Sequence, residues 1–257
     1  MFGRVIVNVP RRGSLIVRVQ SLTLAVAGAA LLAPAPAPSP APVSAGLTAA
    51  ARPSTSAPAV VREGDVQAAD LLAKVRGCTQ VSNGRYRSDD GARADIPVCG
   101  KRGAVFWKAD MDIDCDGRPG RRCNSRSDPL FSDATAYQQS DGRELDAETL
   151  PYIVVPGVSD IWNHRDHDIR AGSVAAVIYE DRVQYAVVGD IGPRHIIGEA
   201  SYATAKALGI RPDPIGGGTD AGVTYLVFKD SRVSPIESHR AAATLGESLA
   251  RKFVKEN

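Results

Sequence analysis

The sequence has no long apolar run, no C-x-x-C pair, no internal repeat and, once its N-terminal segment is set aside, no surplus of basic residues. Each absence removes a class of protein. The apolar run Leu22 to Leu32, "LTLAVAGAALL", falls short of the roughly 20 residues that a membrane-spanning helix needs. Without C-x-x-C, the four cysteines carry no ordinary zinc signature. Residues 1–45 contain four arginines and no acid, so without them Lys+Arg falls from 31 to 27 against 29 Asp+Glu, and the formal charge moves from +2 to −2. A chain of that charge has no electrostatic drive toward nucleic acid. The hydrophobic fraction of 44% excludes both wholesale disorder and a membrane-filled chain, and 257 residues suffice for one domain with a true core.

What is present begins with an export signal. Arg4, Arg11, Arg12 and Arg18 precede the short apolar run, and Val43-Ser44-Ala45 offers a small-x-small cleavage site, the pattern of a secretory signal peptide over residues 1–45. No Cys lies near that site, which argues against a lipid anchor. Residues 46–63 are rich in Ala, Pro and Ser and read as a linker. The globular domain is expected over 64–257, secreted, monomeric and free of stable membrane association once the signal is removed.

Cys78, Cys99, Cys115 and Cys123 form an even set in an exported chain, so two disulfides are expected. Three pairings are open; neighbour pairing, Cys78 with Cys99 and Cys115 with Cys123, is preferred. Val66, Ala69, Leu72 and Val75 have helical spacing. Strands are expected at 104–114, 152–155, 173–179, 184–190 and 223–228, with a hairpin turn at Glu180 to Val183. "SYATAKALGI" (201–210) reads as a short helix ended by Gly209, and Leu245, Leu249 and Phe253 fall on one stripe of a C-terminal helix. The fold class is mainly β, a single domain with a few short helices.

Two groups of carboxylates stand out. In "VVGDIGPRHIIGEAS" (187–201) a strand delivers Asp190, a Gly-Pro turn follows, and Glu199 opens the next helical segment. A pair of carboxyls brought together by a turn is what glycosidic hydrolysis requires. One donates a proton to the leaving oxygen, while the other activates water or attacks the sugar. The alternative is structural, with Asp190 pinning the turn and Glu199 serving the helix N-terminus. In "DMDIDCDG", Asp110, Asp112, Asp114 and Asp116 alternate. From Asp112 this resembles a calcium loop, but the twelfth position, where such a loop needs a bidentate Glu, is Cys123. Arg118, Arg121 and Arg122 also oppose a cation. No metal is therefore expected. As a strand, Lys108, Asp110, Asp112 and Asp114 share one face and Met111, Ile113 and Cys115 the other. A row of like charges calls for compensation, either from solvent and the nearby arginines or from a cationic ligand. His164-x-x-His167 lacks a third metal ligand. His195 is close to Asp190 in sequence, and Trp107 and Trp162 are candidates to stack on sugar rings.

The stretches "FWKADMDIDCDG", "TAYQQSDGRELDAETLPYIVVP", "GSVAAVIYEDRVQYAVVGD", "IGEASYATA" and "VTYLVF" together resemble glycoside hydrolase family 75, the fungal-type chitosanases, over most of residues 104–229. That resemblance implies Asp190 and Glu199 as the catalytic pair and inverting hydrolysis of β-1,4 glucosamine links without a cofactor. It also implies carboxyls roughly 6.5–9.5 Å apart. Glu199 is expected as general acid and Asp190 as general base. Chitosan, a polycation, would supply the charge that the aspartate row lacks, with Asp112, Asp114 and Trp107 as substrate contacts. This sequence departs from the fungal pattern in its short connection "IGPRHII" between the two carboxylates, which bears on the width of the cleft. "GDIGPRHIIGEASYATAKALGI" is also similar to a signature of rare-lipoprotein-type lytic transglycosylases and expansins, which implies a six-stranded double-psi-like β-barrel. A peptidoglycan lytic transglycosylase and an expansin-like wall-binding module are the competing readings.

Overall fold

The computed structural model describes residues 63–257. The signal peptide expected at 1–45 and the linker expected at 46–63 lie outside the described residues, apart from Glu63. The described chain opens with α1 (Ala68–Lys74) and continues through β1 (Thr79–Gln80), β2 (Cys99–Lys101), β3 (Ala104–Asp114), β4 (Tyr152–Pro156), β5 (Val174–Tyr179), β6 (Arg182–Gly192) and β7 (Glu199–Ser201). It ends with α2 (Tyr202–Leu208), β8 (Thr219–Phe228) and α3 (His239–Glu256). The sheet order is β1-β2-β3-β7-β4-β6-β5-β8, and β3 also pairs with β8. The six strands from β3 to β8 therefore close on themselves. The mainly-β, six-stranded barrel expected from the sequence is what the chain forms. Its β3–β7 and β4–β6 seams are parallel and the remaining seams antiparallel.

The barrel strands are buried on both faces, which is why they read as continuous apolar runs rather than as alternation. The two parities go to different cores. Phe106, Tyr152, Val154, Ala176, Tyr185, Val187, Leu226 and Phe228 join Leu71 and Val75 from the α1 segment and Ala250 and Phe253 of α3. Val105, Trp107, Ile153, Val155, Val177, Val188, Tyr225 and Val227 join Tyr86, Trp162 and Leu208 in the second core. The α1 stripe differs by one position from the expected Val66-Ala69-Leu72-Val75. Ala68, Leu71 and Val75 are buried while Ala69 is exposed, because the helix starts at Ala68 and turns that side toward α3. On α3 the fully buried line is Ala242, Gly246, Ala250 and Phe253, with Leu245 and Leu249 half-buried beside it. The small residues are innermost because the Tyr185 ring fills the place where a Gly246 Cβ would sit, 2.4 Å away.

Two local features aim the site residues. Ile153 pairs with Val188 but Val154 pairs with Asp190, so Gly189 is an extra residue in β6. Such a bulge re-aims the side chain that follows it, here Asp190. Only glycine fits at the bulge, since a Cβ there would lie 2.6 Å from the Tyr152 side chain. Gly209 ends α2 in the left-handed conformation (φ 75°), and Ser201 caps its start by accepting the Thr204 N–H, as "SYATAKALGI" predicts.

Candidate active site

β7 is a three-residue strand between β3 and β4. In its parallel pairing, Glu199 stands opposite Asp112 and Ser201 opposite Asp114. Residues in register and two apart share a sheet face, so Glu199 has Asp112 beside it and Asp114 as its diagonal neighbour. Glu199 also reaches the strand that carries Asp190. Its Oε2 lies 3.3 Å from the point where a Gly192 side chain would begin. The short connection between the two acids is pinned. Arg87 donates its N–H to the His195 carbonyl (3.0 Å) and accepts the Ile197 N–H at its own carbonyl (3.0 Å). This contact draws the 85–98 segment, and Asp89 with it, alongside.

Asp190 is 7% exposed. Its Oδ1 accepts the N–H groups of Ala136 and Ile191, each at 2.7 Å. Burial raises its pKa, and those two N–H groups oppose the rise by favouring the anion. Glu199 has no such support. Burial first, then the neighbouring charges of Asp114, Asp112, Asp116 and Asp190, lift its pKa well above the usual carboxyl range. The two environments thus differ in sense: Glu199 is held toward its protonated form, while Asp190 is the more readily ionised of the two.

The other acids cluster around them. Asp114, Asp116 and Asp190 bring carboxylate oxygens within 4.8 Å of one another, as do Asp89, Asp110 and Asp112. Asp114 is 4% exposed and accepts the Asp116 N–H at 2.6 Å. Burial and then the charge of Asp190 raise its pKa. Asp116 is pushed up to about 6, chiefly by burial. Asp110 is pushed up to about 7 by burial and then by Asp112, and its sealed Oδ1 has no partner. That oxygen would lie 2.1 Å from a Cβ on Gly198, a residue at φ +127°. Each triplet offers carboxylate oxygens close enough to share a cation, and no metal is assigned.

Glu199 opens into a cleft of about 520 Å³ whose wall carries Asp89, Asp112, Asp114, Asp116, Asp128 and Asp213 as well. Among the described residues no Lys, Arg or His lines it. Asp116 was visible in the alternating row. Asp89, Asp128 and Asp213 come from loops distant in sequence, and nothing in their local sequence marks them.

Several expectations need correction. Lys108 and Asp112 are exposed while Asp110 and Asp114 are buried, so the row is not one open face. The β3–β8 register breaks between Ala109 and Met111, which disturbs the alternation at Asp110. Of the two aspartates expected to meet substrate, only Asp112 presents its side chain openly. Trp107 is fully buried, stacked on Tyr225 with ring centroids 5.3 Å apart, and cannot offer a face to a sugar. Trp162, 3% exposed, packs edge-on against it. His164 is sealed, with Nδ1 bonded to the Ile169 carbonyl. His195 pairs with Asp90 at 2.9 Å. The cysteines pair as preferred, Cys78–Cys99 and Cys115–Cys123.

A family model described as "Fungal chitosanase of glycosyl hydrolase group 75" matches residues 111–256. This is a glycoside hydrolase, and the match runs from the second half of β3 through α3, with Asp112, Asp114, Asp190 and Glu199 inside it and Asp89 and Asp110 outside it. The chain belongs to glycosyl hydrolase group 75. An endo-chitosanase of Aspergillus oryzae is 30% identical over 204 residues, which is 70% of this chain and 81% of that protein. Endo-chitosanase C of the same species is 30% identical over 167 residues, 60% of this chain, and the match spans only 41% of that protein's length. An endo-chitosanase of Aspergillus fumigatus is 28% identical over 141 residues, half of this chain and 59% of that protein. Among solved structures, the Streptomyces papain inhibitor matches 52% of this chain and all of its own at 20% identity, with a TM-score of 0.30.

Proposed function

We propose that this protein is a secreted endo-chitosanase that cleaves β-1,4 glucosamine linkages with inversion. Glu199 is the general acid and Asp190 the general base that activates water. One observation carries the substrate class: a cleft with seven carboxylates around it and, among the described residues, no cationic side chain on its wall is matched by a polymer that brings its own ammonium groups. Asp112, open to the cleft, meets those groups. The acid is kept protonated by burial and by its anionic neighbours, and the base is favoured as an anion by two backbone N–H groups on one oxygen. That is the division of labour inversion requires. The two disulfides suit an oxidising compartment. No described helix is long and apolar enough to cross a membrane.

The test is to incubate the protein separately with soluble chitosan, peptidoglycan and cellulose and to follow products by mass and by anomeric NMR. Chitosan oligomers released first as the α-anomer are expected. Anhydro-muropeptides would move the assignment to a lytic transglycosylase, and binding without products to a wall-binding module. Asp190→Asn and Glu199→Gln are each expected to lower turnover by roughly 10²–10⁴-fold in a folded protein. Wild-type turnover by either variant would sink the assignment of the pair.

A further inference from the structure

Among the described residues Asp114 is the one buried acid that adjoins both members of the pair. It is the diagonal neighbour of Glu199 across the β3–β7 seam and shares the cleft wall with it. Its carboxylate also lies within 4.8 Å of Asp190 in the triad with Asp116. At 4% exposure it is badly placed to grip a polymer. We propose that Asp114 is a positioning residue rather than a substrate contact: it controls the charge on Glu199 and so sets the pH range over which Glu199 serves as the acid. This rests on the reading of Asp190 and Glu199 as the reacting pair.

The physical basis is that crowded carboxyls cannot all ionise together. Glu199 faces Asp112 and Asp114 from β3, Asp116 from the loop beyond it and Asp190 from β6. Asp114 faces Asp190, Asp116 and the Tyr152 hydroxyl of β4. No Lys, Arg or His is among these groups. Asp190 takes two backbone N–H bonds on Oδ1 and Asp114 takes one, from Asp116. Asp190 therefore yields its proton first, and the remaining protons are held by Asp114 and Glu199 as an interacting pair. As pH rises, the negative charge that develops on Asp114 opposes ionisation of Glu199. Burial of Glu199 acts in the same direction but does not change with pH, whereas the part due to Asp114 can be deleted.

Asp114→Asn keeps an oxygen to accept the Asp116 N–H and removes the charge. The expected result on soluble chitosan is that the alkaline limb of the kcat profile moves to lower pH. At a fixed pH on that limb kcat falls roughly tenfold for each pH unit of the movement, while on the acid plateau kcat changes little and KM stays within about twofold of wild type. An unmoved limb overturns the proposal. So does a large rise in KM with an unmoved limb, which would make Asp114 a substrate contact. Loss of turnover at every pH in a folded variant overturns it too, by making Asp114 a reacting group. A second measurement needs no turnover and no variant: the side-chain carboxyl carbon of Glu199 in the wild-type protein, followed by NMR against pH. Titration spread over two steps shared with Asp114 is expected, and a single independent step overturns the coupling. If Glu199→Gln retains turnover, the assignment of the pair falls on kinetic grounds, whereas the coupling stands or falls on the NMR titration alone.

Discussion

Gly192 and Glu199 share one small space. A Cβ on Gly192 would lie 3.3 Å from Glu199 Oε2 and 2.9 Å from Val154 Cγ1. The absence of a side chain at the end of β6 is thus what lets Glu199 reach the strand that carries Asp190. Gly192→Ala is expected to displace the Glu199 carboxyl and to lower kcat by about 10²-fold, the scale of a misplacement near 1 Å. KM and the far-ultraviolet circular dichroism spectrum should change little. Steady-state kinetics on soluble chitosan checks this, and an unchanged kcat would mean that Glu199 does not need that space.

The buried acids make stability depend on pH in an unusual direction. Asp110, buried, is pushed up to about 7, and Asp116, half-buried, to about 6, from an ordinary 3.8. A carboxyl whose folded pKa is raised binds its proton more tightly when folded. Its contribution is fully present below pH about 4 and is lost as pH rises through about 6 to 7. Asp141, Glu144, Asp213 and Glu237, with lowered values, act in the opposite sense but are open to solvent and screened. Calorimetry is expected to give a Tm at pH 5 above that at pH 8 by at least about 3 °C, the shift that about 1 kcal/mol makes in a domain of this size. Asp110→Asn should raise Tm at pH 8 and flatten the dependence.

The Cys115–Cys123 bridge spans a sequence separation of 8 and sits between Asp114 and Asp116 on one side and the arginine-bearing loop on the other. Replacing both cysteines with alanine is expected to cost about 2–3 kcal/mol on the loop-entropy scale, read from urea melts. It should lower kcat disproportionately, because Cys115 separates Asp114 from Asp116 and its bridge anchors both. Loss of stability with unchanged kcat would show that the bridge serves the fold alone.

Glu63 holds the start of the described chain to the barrel. Its Oε2 accepts the Tyr185 N–H at 2.5 Å and the Gln184 Nε2 at 2.7 Å, and its Oε1 pairs with His239 Nε2. Glu63→Ala is expected to destabilise the domain by about 1–3 kcal/mol, the cost of stranding buried donors. His239 has its pKa raised by Glu63. The ion-pair part of this contact is therefore full below pH about 6.5 and fades as pH rises through the higher folded value. Melts of the full chain and of the variant at pH 5.5 and 8 check both points.

The long strands were legible because β-branched runs bounded by Gly, Pro and Asp turns admit few other conformations. That Asp190 and Glu199 are joined by one turn was legible, but their reading as a reacting pair came from the family resemblance and not from that spacing. Helix faces were less so. Ala242, Gly246 and Ala250 line the core side of α3, and small residues carry little hydrophobic signal. The depth of each side chain was not legible at all. Trp107 and Asp114 lie on the same strand, and only the closure of β3 against β8 and the insertion of β7 decide that one is a core ring. The cleft's loop acids, Asp89 and Asp213, gather by tertiary contact, which no local pattern encodes.

The apolar character of both strand parities has a consequence for how this chain avoids misassembly. In most sheets a one-residue slip is rejected because it turns polar side chains inward. Here a slipped strand would exchange one greasy set for another, so polarity offers no proofreading. Alignment must instead be fixed by shape: the extra residue at Gly189, the tight hairpin through Glu180 and the seat that Gly246 leaves for the Tyr185 ring. Single-residue insertions or deletions in β4, β5 or β6 should therefore yield soluble but heterogeneous protein rather than a merely weakened native state.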